Sequence, residues 1–153
     1  MAKIIVYGSP RKMNKQSFKK AASFFCDHLL NRLSKNITVK IKLKKNFYKE
    51  TKCFGNATWT DSDAKNHNHR EFEIEMESDI GPVYLIRTLA HEIVHVKQYA
   101  RKELIDICVG SYQKWNNKMY NENMVSYKDL PWEQEAIHLE KEMYKLWKDK
   151  CVK

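Results

Sequence analysis

Within an apolar stretch lie His91, Glu92 and His95, spaced His-Glu-x-x-His. On a helix the two histidines fall one turn apart on one face, so both imidazoles reach a common metal ion. Glu92 then stands beside that ion without ligating it, where it can take a proton from an activated water. The surrounding run, residues 83–100, carries Ile86, Leu89, Ala90, Ile93, Val94 and Val96 at helical spacing, which predicts a helix largely buried in its domain. Gly81-Pro82 supplies the break and the proline start expected at its N-terminus. Burying two histidines and a glutamate is costly unless something satisfies them, and a metal does so.

A protein zinc site needs a third ligand, with an open fourth position in the catalytic kind. The segment Pro131-Trp132-Glu133-Gln134-Glu135-Ala136 opens a second predicted helix that runs through Met143, Leu146 and Trp147. Glu133 and Glu135 flank its apolar stripe of Trp132, Ala136, Leu139 and Met143 at similar angles, so periodicity leaves both as candidate ligands. Acids in a first turn also suit the helix dipole, and that alone would explain one of them.

His91-Glu92-x-x-His95 followed by Trp132-Glu133-x-Glu135-Ala136 resembles zincin metallopeptidases with a glutamate ligand, especially small SprT-like and viral or phage metallopeptidases. The likeness covers roughly residues 70–147. It implies Zn²⁺ held by His91, His95 and Glu133, with Ala136 as the small residue that lets two helices approach. It implies Glu92 as the general base toward a metal-activated water, and a polypeptide as the substrate. Ile137 stands where such relatives often carry an Asp or Asn, so their usual partner for a metal-bound histidine is missing. That departure leaves Glu135 as the alternative ligand, with His138 behind it. Tyr112, Tyr120 and Tyr127 lie between the two motifs and could each steady a developing oxyanion.

For the elements that must position these residues, the resemblance implies an α+β, zincin-like arrangement over residues 1–153, a single domain. An N-terminal helix packed on a small, mostly antiparallel sheet precedes the His-Glu-x-x-His helix and a C-terminal helix. Phe18, Ala21, Ala22, Phe25, Leu29 and Leu33 predict a first helix of about 18 residues from near Lys15. Val39, Ile41 and Leu43 alternate with lysines as in a half-exposed strand. A second strand is expected over Thr51 to Thr60, interrupted at Gly55-Asn56, and residues 61–70 read as a polar loop. Phe72, Ile74 and Met76 alternate with glutamates, and their acidic face would pair with the lysine-rich strand. By analogy with zincins, this acidic strand is expected near the cleft, with extended substrate lying along an edge strand.

At 153 residues and 42% hydrophobic content the chain can bury a core of its own. No apolar run approaches a membrane span and no signal-peptide core is evident, so a non-secreted, non-membrane protein is expected. Its place would be intracellular, in cytoplasm, nucleus or virus-infected host cell. Cys26, Cys53, Cys108 and Cys151 form no Cys-x-x-Cys pair and read as reduced thiols. The net charge of +9 is lopsided: residues 1–60 hold 14 Lys/Arg against two Asp/Glu. Non-specific nucleic-acid binding through residues 1–60 is therefore the competing reading, as a basic module whose metal site is structural or vestigial. The same surface would also suit a peptidase acting on nucleic-acid-associated proteins. His67-Asn68-His69 lies in the polar loop and is assigned to a turn.

Overall fold

A computed structural model describes residues 1–151. Strand β1 (Lys3–Tyr7) leads through helix α1 (Lys15–Leu30) and a 3-10 turn at Asn31–Asn36 to strand β2 (Thr38–Lys44). Short helix α2 (Phe47–Thr51) precedes strand β3 (Gly55–Trp59), and β4 (Glu71–Glu77) then leads to helix α3 (Pro82–Ala100). Three short strands follow, β5 (Leu104–Asp106), β6 (Tyr112–Trp115) and β7 (Lys118–Asn121), and helix α4 (Pro131–Cys151) closes the fold. The α+β class agrees with the sequence pattern.

The sheet under the helices departs from the antiparallel expectation. Its order is β1-β2-β4-β3, with β1–β2 and β2–β4 parallel and only β3–β4 antiparallel. The reason is β1, a short strand absent from the sequence reading. Its crossover through α1 brings β2 back parallel to it, as such connections must. The other sheet, β5-β6-β7, is an antiparallel meander.

Period-two patterning makes one face of the main sheet apolar. Ile4, Val39, Ile41, Phe72, Ile74 and Met76 are buried together with Phe18 and Phe25 of α1 and Leu89 and Ile93 of α3. Lysines of β2 and glutamates of β4 alternate with these core residues, so they fall on the opposite face. There Lys42 pairs with Glu73 at 3.1 Å and Lys44 pairs with Glu75. The expected meeting of acidic and lysine-rich strands thus occurs.

Three further expectations need correction. The segment from Thr51 to Thr60 is not one strand: Thr51 ends α2, and pairing begins only at Gly55. The acidic strand β4 is internal, so the edge that borders the cleft is β3. Leu33 lies beyond α1, in the 3-10 turn. Among the described residues no helix is long and apolar enough to cross a membrane. Cys26 is buried, which pushes its thiol up to about 12; Cys53, Cys108 and Cys151 are exposed and free.

Helix ends follow local chemistry. The Asn14 side chain caps α1 by accepting from the Ser17 N–H at 3.1 Å. Pro82 occupies the first turn of α3, where its missing N–H costs nothing. Trp59 ties the meander to the main sheet: its Nε1–H donates to Asp106 Oδ2 at 2.8 Å, and its ring stacks on His69. His69 is buried against Asp61, so this loop histidine serves the junction.

Candidate metal centre

Helix α3 is buried along most of its length, and His91, Glu92 and His95 occupy its side toward α4 and the cleft. Helix α4 packs against it. Ala136 is fully buried, and its small side chain permits that close approach. The packing brings Glu133, in the first turn of α4, against both histidines. The two Nε2 atoms are 3.3 Å apart, His91 Nε2 is 3.2 Å from Glu133 Oε2, and His95 Nε2 is 3.1 Å from Glu133 Oε1. Among the described residues, these three side chains offer ligand atoms all within 4.8 Å of one another.

These separations can be tested against a metal. Ligands at about 2.0–2.1 Å from a tetrahedral zinc lie roughly 3.3–3.4 Å from each other. The Nε2–Nε2 separation matches that spacing, and each Nε2 lies at a similar distance from one carboxylate oxygen of Glu133, His91 from Oε2 and His95 from Oε1. Tautomers sharpen the point. His91 Nδ1–H donates to Glu140 Oε2 at 2.8 Å, and His95 Nδ1–H donates to Gln98 Oε1 at 2.8 Å. Each neutral ring therefore turns a bare Nε2 lone pair toward the other and toward a carboxylate. Imidazole nitrogens and carboxylate oxygens converge there, and a positive charge, a metal ion or a proton, must join them. The residues present fit a divalent cation with imidazole and carboxylate ligands.

Titration behaviour carries the same sign. Burial alone would lower the His91 pKa, but hydrogen bonds with Glu133 and Glu140 overcome it and carry it to about 10. His95 is raised in the same way, against its burial, by its hydrogen bond to Glu133. Burial would raise Glu133, yet its bonds to the two histidines hold it well below the usual carboxylate range. In the absence of metal the triad keeps protons in its place.

Glu135 is not brought into this group. Its carboxylate accepts from Lys97 Nζ at 2.7 Å and from Gln98 Nε2 at 3.2 Å. His138 is exposed and faces Glu142. Glu92 is buried beside the triad, and burial pushes its pKa up against the pull of His95 and His91. Of the three tyrosines, Tyr127 comes nearest: it lines the cleft beside Glu133, and its phenol is raised first by burial, then by that carboxylate. Tyr112 lines the cleft farther out, and Tyr120 packs edge-on against Trp132.

Gln98, Glu140 and Arg87 complete the site and were not foreseen. Gln98 is fully buried and anchored by donating Nε2–H to the Trp132 carbonyl at 2.9 Å. Glu140 holds His91 while accepting from Arg87 at 2.9 Å. Glu140 stands two turns after Glu133 on the same face of α4, and this spacing was the available signal. It takes the part that Ile137 cannot.

The triad opens on a cleft with two arms. One, of about 400 Å³, runs between β3 and the meander and contains Asp106 and Glu122. The other, of about 420 Å³, holds Lys52, Phe54, Tyr84 and Arg87. Gly55, Glu92 and Tyr127 line both. No protein-family model matches the chain, and no curated protein or solved structure matches it.

Proposed function

We propose that this protein is a zinc-dependent metallopeptidase in which His91, His95 and Glu133 hold the metal and Glu92 is the general base. The observation that carries the reading is the triangle of ligand atoms with a buried carboxylate next to it, at the point where two arms of an open cleft meet.

A Zn²⁺ ion held there would supply Lewis acidity, lowering the pKa of a water and polarising a peptide carbonyl. The remaining work falls to the chain. Glu92 takes a proton from the attacking water and returns it to the leaving amine. A carboxyl raised by burial suits that exchange near neutral pH. Tyr127 donates its O–H to the carbonyl oxygen as negative charge develops there. Gln98 and Glu140 fix both imidazoles so that Nε2 faces inward. The exposed edge of β3 offers backbone groups to an extended polypeptide running along the cleft.

The test is Glu92→Gln, assayed on a quenched fluorescent peptide library alongside zinc content. The variant keeps its zinc and loses at least about 100-fold in kcat/KM, the usual weight of a general base. An undiminished rate would eliminate Glu92 as the base.

The basic N-terminal half supports a second reading, a nucleic-acid-binding module with a structural metal site. Part of its charge is engaged: Arg11 and Lys12 approach Asp79, and Lys42 and Lys44 pair with Glu73 and Glu75. Exposed pairs of this kind are weak, so phosphates could compete for the lysines. Steeply salt-dependent DNA binding by a zinc-loaded protein that cleaves no peptide would favour this module over the peptidase.

A further inference from the structure

Strand β3 begins at Gly55, directly over the buried face of α3. A Cβ on residue 55 would stand 2.9 Å from Glu92 Oε1, 3.0 Å from Glu92 Cγ and 3.0 Å from Thr88 Cγ2. Thr88 and Glu92 are one helical turn apart, so their side chains form a notch, and the strand backbone fills it. The backbone at 55 lies outside the left-handed region, so conformation alone does not require glycine there. The need is for space.

The neighbours decide which group would yield. Thr88 is β-branched and stiff at χ1. Glu92 is buried and lines the cleft with Glu133 and Tyr127, and the added Cβ would meet its Cγ as well as its carboxylate oxygen, so the whole side chain would have to shift. Residue 55 therefore governs where the Glu92 carboxylate rests, and its missing side chain also leaves the passage between the two arms of the cleft open.

We propose that Gly55 is a positioning residue for the reaction: by presenting bare backbone to the notch between Thr88 and Glu92, it sets the carboxylate of the base beside the metal triad. The inference rests on Glu92 being that base.

Gly55→Ala is the test, with Gly81→Ala as control, because a Cβ at 81 meets nothing within 4 Å. Gly55→Ala is expected to bind zinc as the wild type does and to lose roughly 10- to 100-fold in kcat, with KM changed less than about twofold. Gly81→Ala keeps the wild-type rate. Thermal melting supplies a readout independent of turnover. Gly55→Ala lowers Tm by roughly 3–8 °C in the wild-type background and by less than half of that in Glu92→Ala, where the carboxylate is gone. An unchanged kcat in Gly55→Ala, or an identical Tm loss in both backgrounds, would overturn the proposal. If the wild type cleaves no peptide, the peptidase reading fails, while the melting cycle still decides whether residue 55 constrains Glu92.

Discussion

Replacing Glu140 by alanine should weaken zinc binding although Glu140 is outside the ligand triangle. Its Oε2 accepts from His91 Nδ1–H at 2.8 Å and its Oε1 accepts from Arg87 at 2.9 Å, so one carboxylate fixes the ring and is itself held in place. Without it His91 loses both its orientation and the negative charge that strengthens its Nε2 as a donor. Loss of such a partner typically costs 10–100-fold in metal affinity, or about 1.4–2.7 kcal/mol. The assay is a zinc titration in competition with a chromophoric chelator. Glu135→Ala is the paired control, since the Glu135 carboxylate binds Lys97 and Gln98 but neither histidine directly. A Kd for Glu140→Ala within about threefold of wild type would refute the reasoning, and so would an equal loss in Glu135→Ala.

Zinc binding should tighten with pH and release protons, because His91, with a pKa near 10 in the metal-free protein, must give up its proton to ligate. Calorimetry in buffers of different ionisation enthalpy checks this; proton-independent binding between pH 6 and 8 would contradict it. The same shift sets the stability of the metal-free protein. A histidine raised from 6.5 to about 10 contributes fully below pH 6.5, and that contribution is lost as pH climbs to 10. Glu133, lowered from 4.5, contributes above that value and loses its effect as pH falls. Tm of the apo-protein should therefore peak between about pH 4.5 and 6.5 and fall on both sides, while a profile flat to pH 10 would count against the network. Ala136→Leu overfills the α3–α4 contact and should cost about 1–3 kcal/mol in denaturant unfolding with reduced zinc content, whereas wild-type stability would show that the helices do not meet there.

The parts of this fold visible in the sequence are those written in local periodicity. Gly81-Pro82 and the apolar spacing mark α3, and alternating Phe72, Ile74 and Met76 mark β4. Strand direction was not visible, because alternation is the same in parallel and antiparallel pairs, and the five residues of β1 are too few to announce the crossover that decides it. One local signal was missed. Asn116 and Asn117 both have positive φ between the paired Trp115 and Lys118, the requirement of a two-residue hairpin turn that asparagine tolerates. At the site, the motif named His91, Glu92 and His95 because their spacing lies within one helix. Choosing between Glu133 and Glu135 depended on how α4 crosses α3 and on Lys97 drawing Glu135 away. Gln98 and Glu140 were invisible for the same reason: their roles exist only across the helix pair.

Elemental analysis of purified wild type and Glu133→Ala, each supplied with zinc and then dialysed, tests the metal triad most directly. About one zinc per wild-type chain is expected, and sharply less in the variant at unchanged secondary structure. A wild type that retains no zinc, or a Glu133→Ala protein that retains it fully, would contradict the metal triad.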